Sequence, residues 1–135
     1  MSISNVPLAA TRPAPTMGPH PLFRATAIKS YKFDVAAGNN ASPTETIVGT
    51  LRTDYAGLYG IILETGDNTT FGLFRLDNGG TITIVQDAGA DLAATPTNAK
   101  VAIYNNSGVI TLNNRWGAAS TAAAVSVTLF RLATA

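Results

Sequence analysis

The sequence predicts an all-β fold, a two-sheet antiparallel sandwich that most simply forms a jelly roll of about eight strands. Three observations predict it. Short runs of period-two hydrophobicity succeed one another from about Arg24 to Leu132, and turns rich in glycine and asparagine separate them. No stretch has the length or periodicity of a stable helix. With 46% hydrophobic and 13% charged residues in 135, the chain has apolar material for one core and too few charges for a disordered polypeptide.

The strand candidates follow in order. In residues 25–35 the second half alternates, with Tyr31, Phe33 and Val35 pointing one way and Lys32 and Asp34 the other. Residues 37–43, AGNNASP, read as a loop. Strands are expected at 45–51 and 57–65, and the turn at Gly66-Asp67-Asn68 leads into another at 69–76. Asp77-Asn78-Gly79-Gly80 makes a hairpin between FGLFRL and TITIV. Asn105-Asn106-Ser107-Gly108 makes a second between KVAIY and VITLNN, because these residues tolerate the positive φ of tight reversals. The last strand spans 124–132, where Val125, Val127 and Leu129 alternate with Ser126 and Thr128. The alanine-rich stretch 118–124 has helix propensity but is too short to nucleate a helix. About eight antiparallel strands in roughly 110 residues suit two packed sheets; an immunoglobulin-like sandwich or a small barrel fits the same strand count.

Residues 1–23 stand apart. They carry Pro7, Pro13, Pro15, Pro19 and Pro21, five of the seven prolines, which exclude helix and sheet interior. The expected organisation is an extended proline-rich arm at 1–23 and a sandwich domain at 24–135. A solvated tail and an arm laid along a neighbouring subunit both fit the composition. Val6, Leu8, Met17, Leu22 and Phe23 would anchor the second arrangement.

The strands LYGIIL (58–63) and FGLF (71–74) are apolar on both faces, whereas a lone sandwich needs only one apolar face per strand. With a net charge of +1, this implies either a second face covered by another subunit or by the arm, or a centrally buried strand. Gly60 and Gly72 inside these strands mark close backbone approach or a bulge.

The chemistry on offer is sparse. There is no cysteine, which excludes disulfides, thiolate metal sites and cysteine nucleophiles. His20 is the single histidine and sits between two prolines of the arm, a poor setting for a triad or a metal site. Glu45 and Glu64 make a nominal glycosidase pair without a motif. Asp87 and Asp91 have half the spacing of a calcium loop but lack its closing glutamate, and read as a solvated loop. No phosphate loop, basic cluster, signal-peptide pattern or run of 18 apolar residues stands out, so the expectation is no cofactor, no direct nucleic-acid partner and no membrane span. Three Asn-X-Ser/Thr matches carry little weight without a signal peptide. The remaining candidates are aromatic. Tyr55 lies in a predicted loop beside Asp54, and Trp116 follows Asn113-Asn114-Arg115. Either aromatic suits stacking on a sugar or anchoring a protein partner, while Trp116 equally suits capping one end of the core.

YKFDVAAGN leading into a turn, FGLFRLDNGGTITIV, and IYNNSGVITLNNRWG before a β-rich tail together resemble β-sandwich proteins of bacteriophage virions. The likeness covers residues 24–132 and takes in head decoration or cement proteins, head fibres and fibre tips. It implies a homotrimer at the virion surface after synthesis in the host cytoplasm, with the N-terminal segment docked on the major capsid or another virion protein. Leu22, Phe23, Tyr55 and Trp116 are then the expected partner-binding residues. The absence of a heptad or collagen-like shaft favours a compact capsid-decorating protein with no catalytic residues. The alternative is a glycan- or receptor-binding module of fibre-tip type.

Overall fold

The computed structural model describes residues 29–134 apart from 67, 90 and 119. Nine strands are present among the described residues: β1 (Ser30–Gly38), β2 (Thr44–Thr50), β3 (Gly57–Thr65), β4 (Asn68–Leu76), β5 (Ile82–Gln86), β6 (Leu92–Ala93), β7 (Val101–Asn106), β8 (Val109–Asn114) and β9 (Ala123–Thr134). They form two sheets that do not close into a barrel, one ordered β1-β9-β3-β4-β5 and the other β2-β8-β7-β6. Every pairing is antiparallel except the two-residue contact of β6 with β7. First strand pairs with last and second with next-to-last, so β1–β9 and β2–β8 draw the two ends of the domain together.

The period-two pattern builds the core. Val35, Ile61, Leu63, Phe74, Val127 and Leu129 of the five-stranded sheet face Val101, Ile103, Ile110 and Leu112 of the four-stranded one, and all are buried. Burial of each such side chain stabilises the fold by about 1.5–3 kcal/mol. In β3 the inward residues are Tyr59, Ile61 and Leu63, which leaves Leu58, Gly60, Ile62 and Glu64 on the outer face.

The third strand has the bounds that its sequence suggests, and both hairpins form where expected. In the second, Asn106 pairs with Val109 across a two-residue loop of Ser107 (φ 51°) and Gly108 (φ 91°), both in the left-handed region that primed hairpin turns require. Other boundaries differ. The strand expected from residue 25 has its described start at Ser30, and it runs on through Ala37 and Gly38, which read as loop. Pairing with β9 extends it across a bulge between Val35 and Gly38. The sequence gives no sign of β6, since two residues are too few to show alternation. The alanine-rich stretch forms a short Ala118–Thr121 bridge and enters β9 at Ala123.

Candidate functional site

The sandwich gapes at the end where β1 begins. A cleft of about 790 Å³ opens there between the sheets. Tyr31 and Phe33 of β1 form one wall, Val48 and Gly49 of β2 another, and Tyr59, Phe74 and Leu129 the floor. Tyr55 stands on the rim, in a single 3-10 turn at Thr53–Tyr55 that joins β2 to β3. Tyr31 is 61% exposed and Tyr55 39%, so both rings present a face to solvent.

Charged groups hold this rim in shape. Arg52 grips Asp54 as a fork, Nε to Oδ1 at 3.0 Å and Nη2 to Oδ2 at 3.1 Å, and lies 5.5 Å from the Tyr55 ring centre. The guanidinium beside it holds the Asp54 carboxyl below the usual carboxylate range. Arg131 of β9 donates from Nη2 to the carbonyls of Asp54 (2.7 Å) and Ala56, tying the turn to the five-stranded sheet. Tyr59 stacks on Phe74 at 5.2 Å and 5°, and its hydroxyl donates to the Tyr55 carbonyl at 2.5 Å. Burial, ahead of any charge, pushes the Tyr59 hydroxyl's pKa up. The cleft therefore offers aromatic faces on a braced frame, which suits recognition by stacking and shape.

Trp116 lies elsewhere. Its neighbour Gly117 bonds Gly38 at the far end of β1, eight residues or about 26 Å of strand from Ser30. The indole is half-buried against the core, and its position is fixed by Asn114. That side chain is fully buried and makes three bonds: Nδ2 donates to the carbonyls of Ala36 (3.0 Å) and Ala123 (2.7 Å), and Oδ1 accepts the Trp116 amide (2.9 Å). Tyr55 and Trp116 thus occupy opposite ends of the sandwich and form no common platform. Leu22 and Phe23 fall outside the described residues.

A second surface is the outer face of the five-stranded sheet. Leu58 and Ile62 of β3, Phe71 and Leu73 of β4 and Phe130 of β9 all lie on it, by alternation from the buried residues of each strand. Phe71 is 43% exposed. Phe130 pairs with Gly60 in register, and its ring covers the place where a side chain at Gly60 would stand. From there it reaches Phe71, centroid to centroid 6.0 Å. Gly72, by contrast, faces inward, against Leu92, Ala88 and the Gln86 carbonyl.

The other polar candidates are separated. Glu45 is exposed on β2 and Glu64 on β3, on the outer surfaces of different sheets, which rules out a paired-carboxylate site. Glu64 is 4.0 Å from Lys32. Glu45 accepts from the Tyr104 hydroxyl (2.5 Å) and the Asn113 amide (3.0 Å), a cluster that the sequence did not reveal because its members are 59 and 68 residues from Glu45. Asp87 accepts the Leu92 amide at 3.1 Å and sits 3.9 Å from Lys100. Burial, then the nearby Asp87 charge, raises the Asp91 carboxyl. Among the described residues no three His, Cys, Asp or Glu side chains converge as metal ligands.

No protein-family model, no curated protein and no solved structure matches the chain.

Proposed function

We propose that the protein acts by assembly rather than by making or breaking bonds: a homo-oligomeric sandwich, in the jelly-roll style, that decorates or stabilises a bacteriophage capsid. Residues 1–23 attach it to the major capsid or another virion protein. The observation that carries the reading is the apolar centre of the five-stranded sheet's outer face, Leu58, Ile62, Phe71, Leu73 and Phe130, which a solitary sandwich would have no reason to keep apolar. The nested pairing of β1 with β9 and β2 with β8 supports the jelly-roll description; the β3–β4 and β7–β8 hairpins each stay within one sheet. The resemblance of its strands and turns to virion proteins supports the setting, and a trimer is the state that this resemblance implies.

The stabilising effect would come from mass action, since a ligand that prefers the assembled shell shifts the equilibrium toward it, and many copies act together. Sedimentation at micromolar concentration is expected to give three chain masses. Particles carrying the wild-type protein should rupture at a higher temperature than bare particles. Particles offered the protein without residues 1–23, or with Leu22 and Phe23 changed to serine, should rupture like bare ones. Equal rupture temperatures with and without wild-type protein would remove the capsid-stabilising role.

One observation favours a second reading. The cleft beneath Tyr55 exposes aromatic faces of the kind that bind sugars or receptor side chains. Under that reading the Tyr55→Ala variant loses binding on a glycan array while its particle attachment is unchanged.

A further inference from the structure

We infer that the outer face of the five-stranded sheet is the surface through which one copy of this chain joins another. The inference rests on the homo-oligomeric reading above and adds to it the face and the residues. Leu58, Ile62, Phe71, Leu73 and Phe130 form its centre.

Three properties of the face point to a second copy as its occupant. The first is size. Five strands about 4.8 Å apart, paired with their neighbours over about seven residues on average, make a plate of roughly 20 by 23 Å, so two plates together remove about 900 Å² in projection and more in accessible area. That reaches the region of about 1,000 Å² where specific protein interfaces begin. Shape is the second. Because Gly60 carries no side chain, the Phe130 ring lies across β3 instead of standing up from the sheet, and it extends the plate to Phe71 at a ring angle of 29°. A level plate with an apolar centre suits two more of the same kind, the three sheets lining one shared centre about a three-fold axis so that each plate meets both others.

Charge is the third. One end of the face carries Asp34, Glu64 and Lys32, in which Lys32 pairs with Glu64 and an acidic excess remains. At the other end Arg75 stands between Leu58 and Thr83, about 20 Å away along β3, and no carboxylate pairs with it among the described residues. Copies that meet with the acidic end of one against the Arg75 end of the next match opposite charges around an apolar centre. A net charge of +1 adds almost no repulsion between them.

The test uses the full chain in solution. Wild type is expected to sediment as an oligomer at micromolar concentration. The double variant Phe71→Ser, Leu73→Ser should fall to the single-chain mass, its association weakened roughly 100-fold or more, as for the loss of central interface anchors. Tyr31→Ser, at the exposed cleft, should stay assembled. A second measurement is independent of whether the double variant folds. The chain has no cysteine, so Thr128→Cys places a single thiol on the face beside Ile62, and Ala41→Cys places one in the exposed β1–β2 loop. Maleimide should label the first more slowly as the protein is concentrated, and the second at one rate throughout. If wild type assembles while labelling at 128 is independent of concentration, the copies meet elsewhere and this assignment is wrong. Wild type at the single-chain mass would overturn both the assignment and the homo-oligomeric reading beneath it.

Discussion

Phe130 lies over Gly60: the two are register partners on β9 and β3, and the ring occupies the space that a side chain at 60 would need. A glycine inside a central strand ordinarily weakens it. Here it levels the outer face and lets Phe130 reach Phe71. The expense of glycine in the strand is therefore tied to the surface, not to the core.

Gly60→Val should separate these two roles. A Cβ at 60 would overlap the Phe130 ring, so the ring must swing away. The half-buried ring lies on the sheet surface and can rotate outward, and valine favours strands, so stability should stay within about 1 kcal/mol of wild type. Self-association should weaken, because the plate is no longer level. Thermal midpoint and sedimentation read the two effects separately; an unchanged association constant would show that the flat ring is not required.

The Ser107-Gly108 hairpin gives a local test. Both residues have positive φ, which glycine adopts freely, asparagine tolerates and β-branched residues resist. Ser107→Asn should raise stability by a few tenths of a kcal/mol, and Gly108→Val should lower it by about 1–2 kcal/mol. Urea denaturation midpoints at constant slope would measure both.

Sequence and structure agree most where the signal is local. Gly57–Thr65 and the two hairpins are legible because alternation and turn residues depend on neighbours a few positions apart. The doubly apolar strands are also legible, and they supply most of the apolar centre of the five-stranded sheet's outer face. The rim of the cleft is only half visible in the sequence. Tyr55 stands out beside Asp54, but Arg131, which braces the turn, lies 77 residues beyond Asp54, and the partnership depends on β9 lying beside β3. Asn114 is not visible at all: in a single sequence a structural asparagine looks like one more turn residue of NNRWG.

The Glu45–Tyr104 bond makes stability depend on pH at both extremes. The Tyr104 hydroxyl, then the Asn113 amide, holds the Glu45 carboxyl below its ordinary value of 4.5. Its contribution is complete above that value and disappears as pH falls through the lowered one. Burial first, and Glu45 second, pushes the Tyr104 hydroxyl up to about 12, so its contribution is lost only as pH rises through that value. Glu45 is exposed and the bond is correspondingly modest, about 0.5–1 kcal/mol. Glu45→Gln should therefore lower the melting temperature by a few degrees at pH 7 and by nothing measurable near pH 2. An equal deficit at both pH values would show that the glutamine disturbs packing instead.

Asn114 should be the most sensitive polar position. Its amide donates to two carbonyls, Ala36 at the end of β1 and Ala123 at the start of β9, and its carbonyl oxygen accepts the Trp116 amide. Asn114→Ala takes that partner from all three groups in a fully buried site; the Ala36 carbonyl keeps its bond from the Thr44 hydroxyl, and the loss should be about 2–3 kcal/mol, toward the upper end of single-residue effects. Asn114→Asp keeps the shape but replaces the donor with a second acceptor, so at neutral pH a carboxylate oxygen faces the Ala36 and Ala123 carbonyl oxygens. It should be at least as destabilising as alanine there. Burial and these carbonyls favour the protonated acid, which raises the carboxyl pKa in the folded protein above its unfolded value. The folded form then binds the extra proton, so stability returns as pH falls through the raised value. The alanine variant has no such group and should show no recovery relative to wild type. Urea midpoints for wild type and both variants between pH 7 and pH 4 would test this; parallel curves for the alanine and aspartate variants would mean that the Asn114 amide is not what joins β1, β9 and the Trp116 loop.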